Sequence, residues 1–469
     1  MHIKTSHKME EKAILPLLLS MAFPPMVSML IQALYNIIDS IFVAQISENA
    51  LTAISLAFPI QNLIIALSVG IGVGVNSYIS RKLGEQKPKE VQYAITHGLI
   101  LSAITAFTVT VLGLLTLSSF FSFFTNDPFI LEDASIYTRI ILSFCIAPFI
   151  HICIEKVFQA TGNMVIPMGL QAIGAIINII LDPIMIFGYF GFPAMGIAGA
   201  AIATVIGQCT SMILSICILL WQKHQLYMCF FPTPIQPSIF YKILVVAIPS
   251  ACMNALGSIL VVGLNALLVT FSNLAVAVFG IYFKLQTFIF MPVSGLIQGA
   301  MPIMGYNYGA KNKQRLIATL KNSYLISFMI MMFGFLLFMI FPVQLLQFFH
   351  ATDEMLAIGV PALRIISISF LPASLGIILS TLFQSTGSGG SSLLIFLLRQ
   401  LLIVLPLSYL LSKIFGLPGV WISFLFAEGG AAITAQILYL RFKRRDAIFK
   451  GKDSSEADDS KLIQETKEA

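Results

Sequence analysis

Charged side chains are scarce in this sequence: 10% of its 469 residues are Asp, Glu, Lys or Arg, whereas 58% are hydrophobic. Soluble globular domains carry about 25% charged residues, so this composition excludes a protein whose surface is mostly in contact with water. Tryptophan is also rare, with two residues, but 38 Phe and a mean hydropathy of +0.92 supply apolar surface. The composition predicts an integral membrane protein.

The absence of certain sequence motifs excludes several classes of function. The six cysteines form no CxxC pair and lie in or beside apolar runs, so we interpret them as small apolar residues. No Walker A sequence is present, so we expect neither direct use of ATP nor enzymatic activity, and no cofactor. The formal net charge of +6 does not predict a nucleic-acid partner, because Lys and Arg lie between and after the apolar runs.

Apolar stretches recur along the whole chain, each with roughly the 20 residues that a helix needs to cross a bilayer. They lack the strict alternation of a membrane β-barrel. We therefore expect an all-α integral membrane protein with twelve transmembrane helices. The expected spans are residues 13–45, 52–77, 93–118, 131–157, 164–189, 196–221, 239–270, 275–300, 317–341, 355–381, 391–412 and 417–440.

The distribution of basic residues predicts the orientation. Lys and Arg cluster after the second, eighth and twelfth spans, at 81–89, 311–315 and 441–445. The loops on the other side, at 45–51, 125–133 and 352–355, contain Asp and Glu but no Lys or Arg. The positive-inside rule then places both termini in the cytoplasm. We expect no cleavable signal and a disordered cytoplasmic tail at 446–469.

An internal repeat relates the two halves of the chain. Pro24 and Pro249 are 225 residues apart (249 − 24), and so are Gly84 and Gly309. The same offset relates Gln61 to Gln286, 123–124 to 348–349, 139–141 to 364–366, and 158–162 to 383–387. It predicts a first six-helix bundle at 1–221, a cytoplasmic linker at 222–238 and a second bundle at 239–445, parallel in the membrane as in one class of secondary transporter. The alternative is a duplicated scaffold that does not transport.

Polar residues in the first half indicate an ion site. Asp39 and Asp182 both lie in the outer part of their spans, and a charge in hydrocarbon costs at least about 2.5 kcal/mol. Asn178 lies on the same helical face as Asp182, and Thr204 lies at the same depth. We assign ion coupling to these four residues, because hard oxygen atoms suit Na⁺ and adjacent carboxylates favour a shared proton. The alternative is that Asp39 caps a kinked helix and Asn178 bonds a neighbouring backbone.

Glu155 lies in the inner half of the fourth span, where we expect it to attract a cationic substrate or relay protons. The alternative is an interfacial carboxylate that reaches water. Lys156 follows it directly but points about 100° away around a helix, so it need not neutralise Glu155. The offset of 225 places Ser380 opposite Glu155, Leu264 opposite Asp39 and Leu407 opposite Asp182, so we assign ion coupling to the first half alone.

The second half has polar residues of its own, namely Lys284, Gln286, Arg399 and Glu428. We predict that Lys284 and Glu428 lie at similar depths and form an ion pair. The abundant Phe and Met residues suit a cavity that accepts varied ligands. We include Met291, beside a proline, among the candidate substrate contacts.

Four segments resemble the multidrug and toxic compound extrusion (MATE) family: 35–42 (YNIIDSIF), 159–163 (QATGN), 178–187 (NIILDPIMIF) and 196–204 (GIAGAAIAT). The resemblance covers nearly the whole chain and is greatest for the bacterial DinF/MepA-like branch. It implies a V-shaped pair of six-helix bundles in the bacterial plasma membrane, working as a monomer. Cationic amphipathic drugs or dyes would be exported in exchange for H⁺ or Na⁺ by alternating access.

The resemblance also implies residue roles. Asp39, Asn178 and Asp182 match the family's ion site in the first bundle, Thr204 is a further match, and Glu155 matches an acidic position on the fourth helix. We assign substrate contacts to Glu155, Tyr35, Asn36 and Met291. The acidic residue that another branch carries on the seventh helix is absent, since Asn254 and Asn265 occupy that region. Rival functions are a lipid-linked precursor flippase, a narrow-specificity metabolite exporter, and a channel or membrane receptor.

Overall fold

The structure, a computed structural model, describes residues 6–125, 127–222 and 234–450. In this part of the chain, ten helices are long and apolar enough to cross a membrane, and two bent helix pairs each make one further span. The spans are α1 (Ile14–Ala44), α2 (Glu48–Gly84), α3 (Pro88–Ser122), α4 (Pro128–Ser143 with Ile146–Ala160), α5 (Val165–Phe187), α6 (Ile197–Trp221), α7 (Pro237–Leu268), α8 (Asn273–Gly309), α9 (Lys313–Ile340), α10 (Asp353–Ser367 with Phe370–Ser385), α11 (Gly389–Phe415) and α12 (Leu417–Arg445).

These spans confirm the predicted all-α architecture of twelve transmembrane helices. Several helices run further than expected; α8 continues to Gly309, nine residues beyond the predicted end at 300. Hydropathy locates the hydrocarbon-crossing part of a helix, whereas the polar turns that continue beyond the membrane lack that signal. Most of the predicted linker and of the predicted tail lies outside the described residues. The described part of that tail includes one short helix, Ala447–Lys450.

Side-chain caps and left-handed residues set several helix ends. The Ser47 and Ser272 hydroxyls each accept a hydrogen bond at 3.0 Å, from the backbone N–H of Ala50 and Ala275, which fixes the first turns of α2 and α8. At the other end of α5, Gly188 adopts φ +78°, a left-handed conformation that stops the helix.

The repeat predicted from sequence reappears in the backbone. The break in α4 bends the helix by 48° and the break in α10 bends it by 46°. Gln86 and Lys311, which are related by the offset, both adopt a left-handed φ, of 57° and 56°. Gly162 and Gly387, which the offset also relates, adopt φ values of 87° and 88°. The two halves therefore share irregular backbone features as well as helix order.

The halves are tightly packed on the side that carries the loops 85–87 and 310–312, which we call the basic side. Gly84 of α2 packs against the backbone carbonyl of Tyr306, and Gly309 of α8 packs against that of Arg81, so a Cβ at either glycine would clash. The Ser77 hydroxyl donates to the carbonyl of Gln384 at 2.5 Å. These contacts close the molecule between α2, α8 and α10 on the basic side.

Two clusters of buried apolar side chains hold the helices together. One is confined to the second half, from Leu260 on α7 to Ala427 on α12. The other fills the first half and continues into α7, α8 and α10. Large apolar side chains also cover the outer surface, such as Phe107, Leu115 and Ile414, each more than 70% exposed. A surface of this kind belongs in lipid.

Candidate functional site

The carboxyl groups of Asp39 on α1 and Asp182 on α5 lie within hydrogen-bonding distance inside the first half. Asp182 has no exposed surface, and Asp39 is partly buried. An ionised carboxylate only accepts hydrogen bonds, so a bond between two carboxyl groups requires a proton on one of them. When both are ionised, the same oxygens are the ligand type that hard cations prefer. The pair can therefore hold a proton or help to bind a cation.

Asn178 and Thr204 extend this pair towards the centre of the molecule. In the amide orientation that satisfies both ends, Asn178 Nδ2 donates to Asp182 Oδ2 at 2.9 Å. Asn178 Oδ1 then accepts from the backbone N–H of Thr204 at 3.0 Å and from its hydroxyl at 3.2 Å. Both residues are at least 95% buried. Asn178 thus connects Asp182 of the carboxyl pair to Thr204 on α6.

Two tyrosines complete the cluster. Tyr35 lies one turn before Asp39 on α1, and its hydroxyl bonds to Thr204. Tyr137 of α4 is buried close to Asp39, and its hydroxyl accepts a hydrogen bond from Gln61 of α2 at 2.8 Å. The sequence pattern used above does not identify Tyr137 as part of the site. A signal was available, because the repeat places an alanine opposite it, just as it places apolar residues opposite the two aspartates.

A central cavity of about 720 Å³ lies between the two halves. Tyr35, Asn178 and Thr204 all line this central cavity, whereas Asp39 and Asp182 lie behind them. Side chains of the second half also contribute to the wall. They include Met253, Asn254, Gln286, Phe290, Gln298, Gln384 and Arg399. A molecule in the cavity would contact the residues that hold the carboxyl pair, without touching the carboxyl groups.

Glu155 also lines the central cavity, where it is paired with the adjacent Lys156. Lys156 Nζ lies 3.2 Å from Glu155 Oε1, and both side chains are more than 90% buried. Burial explains the pairing: consecutive side chains diverge by about 100° around the helix, but the long lysine chain can fold back rather than leave its charge alone in a site with little water. The charge of Glu155 is therefore largely neutralised.

Glutamines complete this network and carry it across the interface. Gln171 and Gln159 donate to the two oxygens of Glu155 at 2.9 and 2.8 Å. Lys156 also donates to Gln298 of α8 at 3.0 Å, so the ion pair of the first half is bonded to the second half. The network is therefore sensitive to any relative movement of the two halves.

The predicted pair of Lys284 and Glu428 is wrong. Glu428 of α12 is paired with Arg399, whose Nη2 and Nε donate to Glu428 Oε1 at 2.8 and 3.1 Å. Lys284 instead lies over the ring of Phe349, at 6.0 Å from the ring centre. Arg399 lies in a π-helical turn, Leu398–Leu402, which interrupts α11. Such turns are frequent at functional sites. Depth in the membrane, on which the predicted pair was based, does not reveal where a π-helical turn lies.

A second, smaller cavity of about 390 Å³ lies beside this ion pair, and we call it the second-half pocket. Two predicted substrate contacts, Asn36 and Met291, line the second-half pocket, whereas Tyr35 and Glu155 line the central cavity. The two cavities share lining residues, Gln286 and Arg399 among them. The four assigned contacts are thus divided between adjoining cavities.

Within the described ranges, no group of three or more His, Cys, Asp or Glu side chains is placed to hold a metal ion. Any cation at the Asp39–Asp182 pair would therefore have to complete its coordination with neutral oxygens. Thr204, Tyr35, Tyr137 and the Asn178 amide are neutral oxygen groups of the same cluster.

Comparison with known proteins relates this chain to a family of transporters. The family profile described as MatE matches residues 24–184 and again 249–410, two segments that begin 225 residues apart. The chain is 27% identical to the FAD transporter of Shewanella oneidensis, over 89% of this chain and 92% of that protein. It is 26% identical to the multidrug export protein MepA of Staphylococcus haemolyticus, over 94% of this chain and 96% of that protein.

Solved structures agree with this relationship. A crystal structure of a MATE protein in its bent conformation superposes with a TM-score of 0.88 at 26% identity, covering 95% of this chain and 98% of that one. A transporter of the MOP superfamily from Pyrococcus furiosus, described as having a binding pocket of reversed polarity, superposes with a TM-score of 0.84 at 26% identity, covering 95% of this chain and 98% of that one. The chain belongs to the MatE family of membrane transporters.

Proposed function

We propose that this protein is a secondary active multidrug exporter that exchanges cationic amphipathic compounds for H⁺ or Na⁺ by alternating access. The observation that carries the proposal is the shared wall between the ion site and the cavity. Asn178 and Thr204 hold the Asp39–Asp182 pair on one side and line the central cavity on the other. A proton or cation at the carboxyl pair would change the hydrogen bonds of the groups that a substrate contacts.

The mechanism follows from competition through that wall. When the carboxyl pair is occupied, Asn178 and Thr204 are held in one arrangement, and substrate binding is weakened. When the pair is empty, both ionised carboxylates attract a cation. A bound species shifts the balance between two conformations only through its different affinity for each of them. Ion binding on one side of the membrane and substrate binding on the other then drive the cycle.

The tight packing on the basic side supports alternating access. We infer that this side is cytoplasmic, because it carries the basic loops, and that the conformation seen is closed towards the cytoplasm. To open on this side, Gly84 and Gly309 must leave the opposing backbones, and the hydrogen bond between Ser77 and the carbonyl of Gln384 must break. The bond between Lys156 and Gln298 is also strained by any rotation of the halves.

Ethidium efflux tests the proposal. The full chain is expressed in drug-sensitive bacterial cells, and pH and Na⁺ gradients are imposed independently. Efflux should follow one of the two gradients and fall to the level of empty-vector cells in Asp39→Asn and Asp182→Asn. Ser40→Ala is the matched control, because Ser40 is exposed next to Asp39 and bonds only to the backbone of its own helix within the described residues. Efflux that persists in both Asn variants would refute the role of the carboxyl pair.

Export of a metabolite that is not cationic is a second candidate. The central cavity is lined by Glu155 but also by Lys156 and Arg399, so its charges do not select a cation. One relative is named an FAD transporter. Wild-type cells that express the protein but show no ethidium efflux, together with accumulation of an anionic or neutral metabolite in the medium, would favour this function.

A further inference from the structure

The second-half pocket lies apart from the wall that the ion site and the central cavity share, and its polar groups are unusual. Nε and Nη2 of Arg399 both donate hydrogen bonds to the same oxygen of Glu428, Oε1. Among the residues that the structure describes, neither Glu428 Oε2 nor the hydroxyl of Tyr282 has a hydrogen-bond partner. Both residues are more than 90% buried, and both line the second-half pocket. Unpaired buried polar groups are costly, which indicates that something else engages them.

Aromatic rings form one part of the wall of this pocket, and amide and hydroxyl side chains line much of the rest. Phe279 and Tyr282 stack with an interplanar angle of 30° and ring centres 6.0 Å apart, and Phe424 packs against both. Phe283 and Phe290 line the pocket as well. Flat apolar walls of this kind favour a planar ligand, because ring faces and edges then pack against one another.

The charges in the pocket determine what such a ligand can carry. Arg399 and Glu428 neutralise each other, so the pocket has no net charge to compensate the loss of hydration of a charged ligand, which favours an uncharged one. Three groups at the ion pair bond to none of the described residues: the acceptor Glu428 Oε2, the hydroxyl of Tyr282 and Nη1 of Arg399. They complement a neutral edge that presents a donor next to an acceptor.

We propose that the second-half pocket binds a planar, uncharged heterocycle through an amide or imide edge. Glu428 Oε2 accepts the ring N–H, Arg399 Nη1 donates to the adjacent carbonyl, and the hydroxyl of Tyr282 bonds to the same edge. The pocket adjoins the central cavity through Arg399 and Gln286, so the ligand would be a substrate, and in this respect the inference rests on the proposed export function.

A binding experiment with purified full-length protein in detergent tests the inference without any transport. The probe is lumiflavin, a neutral fluorescent ring with an imide edge, and the control probe is 3-methyllumiflavin, in which a methyl group replaces the imide hydrogen. Lumiflavin fluorescence should change saturably on binding, and methylation should weaken binding by about tenfold or more, because the buried acceptor of Glu428 is then left unpaired.

Variants locate the probe. Tyr282→Phe removes only a hydroxyl that has no partner among the described residues, so the protein should fold normally and bind lumiflavin roughly fivefold more weakly. Tyr409→Phe is the matched control, because Tyr409 is exposed on α11 and does not line the pocket, and its affinity should equal that of the wild type. Competition by unlabelled uracil, which carries the same imide edge, should release the probe.

Three results would overturn the inference. They are absence of lumiflavin binding to folded wild-type protein, equal binding of the methylated probe, and unchanged affinity in Tyr282→Phe. Each is distinguishable from failure of the proposed function, which is measured by ethidium efflux. If the protein binds lumiflavin but does not export ethidium, the inference about this pocket stands and the proposal of multidrug export is refuted.

Discussion

The ion pair between Arg399 and Glu428 gives a quantitative prediction. Arg399 Nη2 and Nε lie 2.8 and 3.1 Å from Glu428 Oε1, and both side chains are 10% exposed. Removing one partner leaves the other charge unpaired in a buried site, which costs about 3–5 kcal/mol. Arg399→Met and Glu428→Met should each destabilise the protein by about that amount. The double variant leaves no unpaired charge, so its loss should be smaller than either single loss.

Thermal unfolding in detergent measures this effect. Cys145 and Cys153 are buried, so a thiol-reactive fluorophore reports their exposure as the protein unfolds. Each single variant should lower Tm by several degrees, on the order of 5 °C or more, and the double variant should recover most of the loss. Lys284→Met, alone and combined with Glu428→Met, is the control and should be additive, because Lys284 contacts Phe349 instead. Additive losses for Arg399 and Glu428 would refute the pairing.

Three further predictions concern transport. Asn178→Leu should lower the initial rate of ethidium efflux by about tenfold or more, because a hydrogen bond to a charged group contributes about 1.5–3 kcal/mol, whereas Asn178→Gln should retain part of it. Lys156→Gln should lower the KM for ethidium by roughly threefold to tenfold, since Glu155 loses its countercharge, and Glu155→Gln should raise it. Gly309→Leu should prevent closure on the basic side, abolish efflux, and increase thiol labelling of a Ser77→Cys variant from that side.

Each of these has a result that would contradict it. Normal efflux in Asn178→Leu would mean that the amide does not connect the carboxyl pair to the central cavity. An unchanged KM in Lys156→Gln would mean that Glu155 does not attract the substrate. Unchanged labelling of Ser77→Cys in the Gly309→Leu background would mean that the glycine contact does not control access to the basic side.

The fold could be predicted almost entirely from the sequence, because hydropathy and the repeat are properties of whole helices. Twelve apolar runs predicted twelve spans, and the single offset of 225 predicted two matching halves. The close packing of the matched glycines Gly84 and Gly309 was not predicted and is visible only in the structure. Helix ends were less well predicted, since polar terminal turns carry no hydropathy signal. The bends in α4 and α10 lie beside Pro148 and Pro372, each the third residue of the helix segment that follows the break, so the sequence marks where a bend is possible but not its angle.

The residues of the candidate site could be predicted where depth in the membrane and position on a helical face determine which side chains are neighbours. Asp182 and Asn178 are four residues apart on one helix, and Asp39 lies at a similar depth, so their proximity followed from spacing. Pairing of charges was not predictable in this way. The Lys156 side chain is long enough to fold back on Glu155, and neither its rotamer nor the rotation of α12 that selects the partner of Glu428 is encoded in spacing along the chain.

The central claim is that substrate and ion fluxes are coupled through the Asp39–Asp182 pair, and coupling must work in both directions. Purified protein is reconstituted in vesicles without any ion gradient, and an outward ethidium gradient is imposed. The account predicts that H⁺ or ²²Na⁺ moves inward although no ion gradient drives it. This movement should be absent in Asp39→Asn and present in Ser40→Ala. Ethidium movement without any ion movement, or ion movement that survives Asp39→Asn, would contradict it.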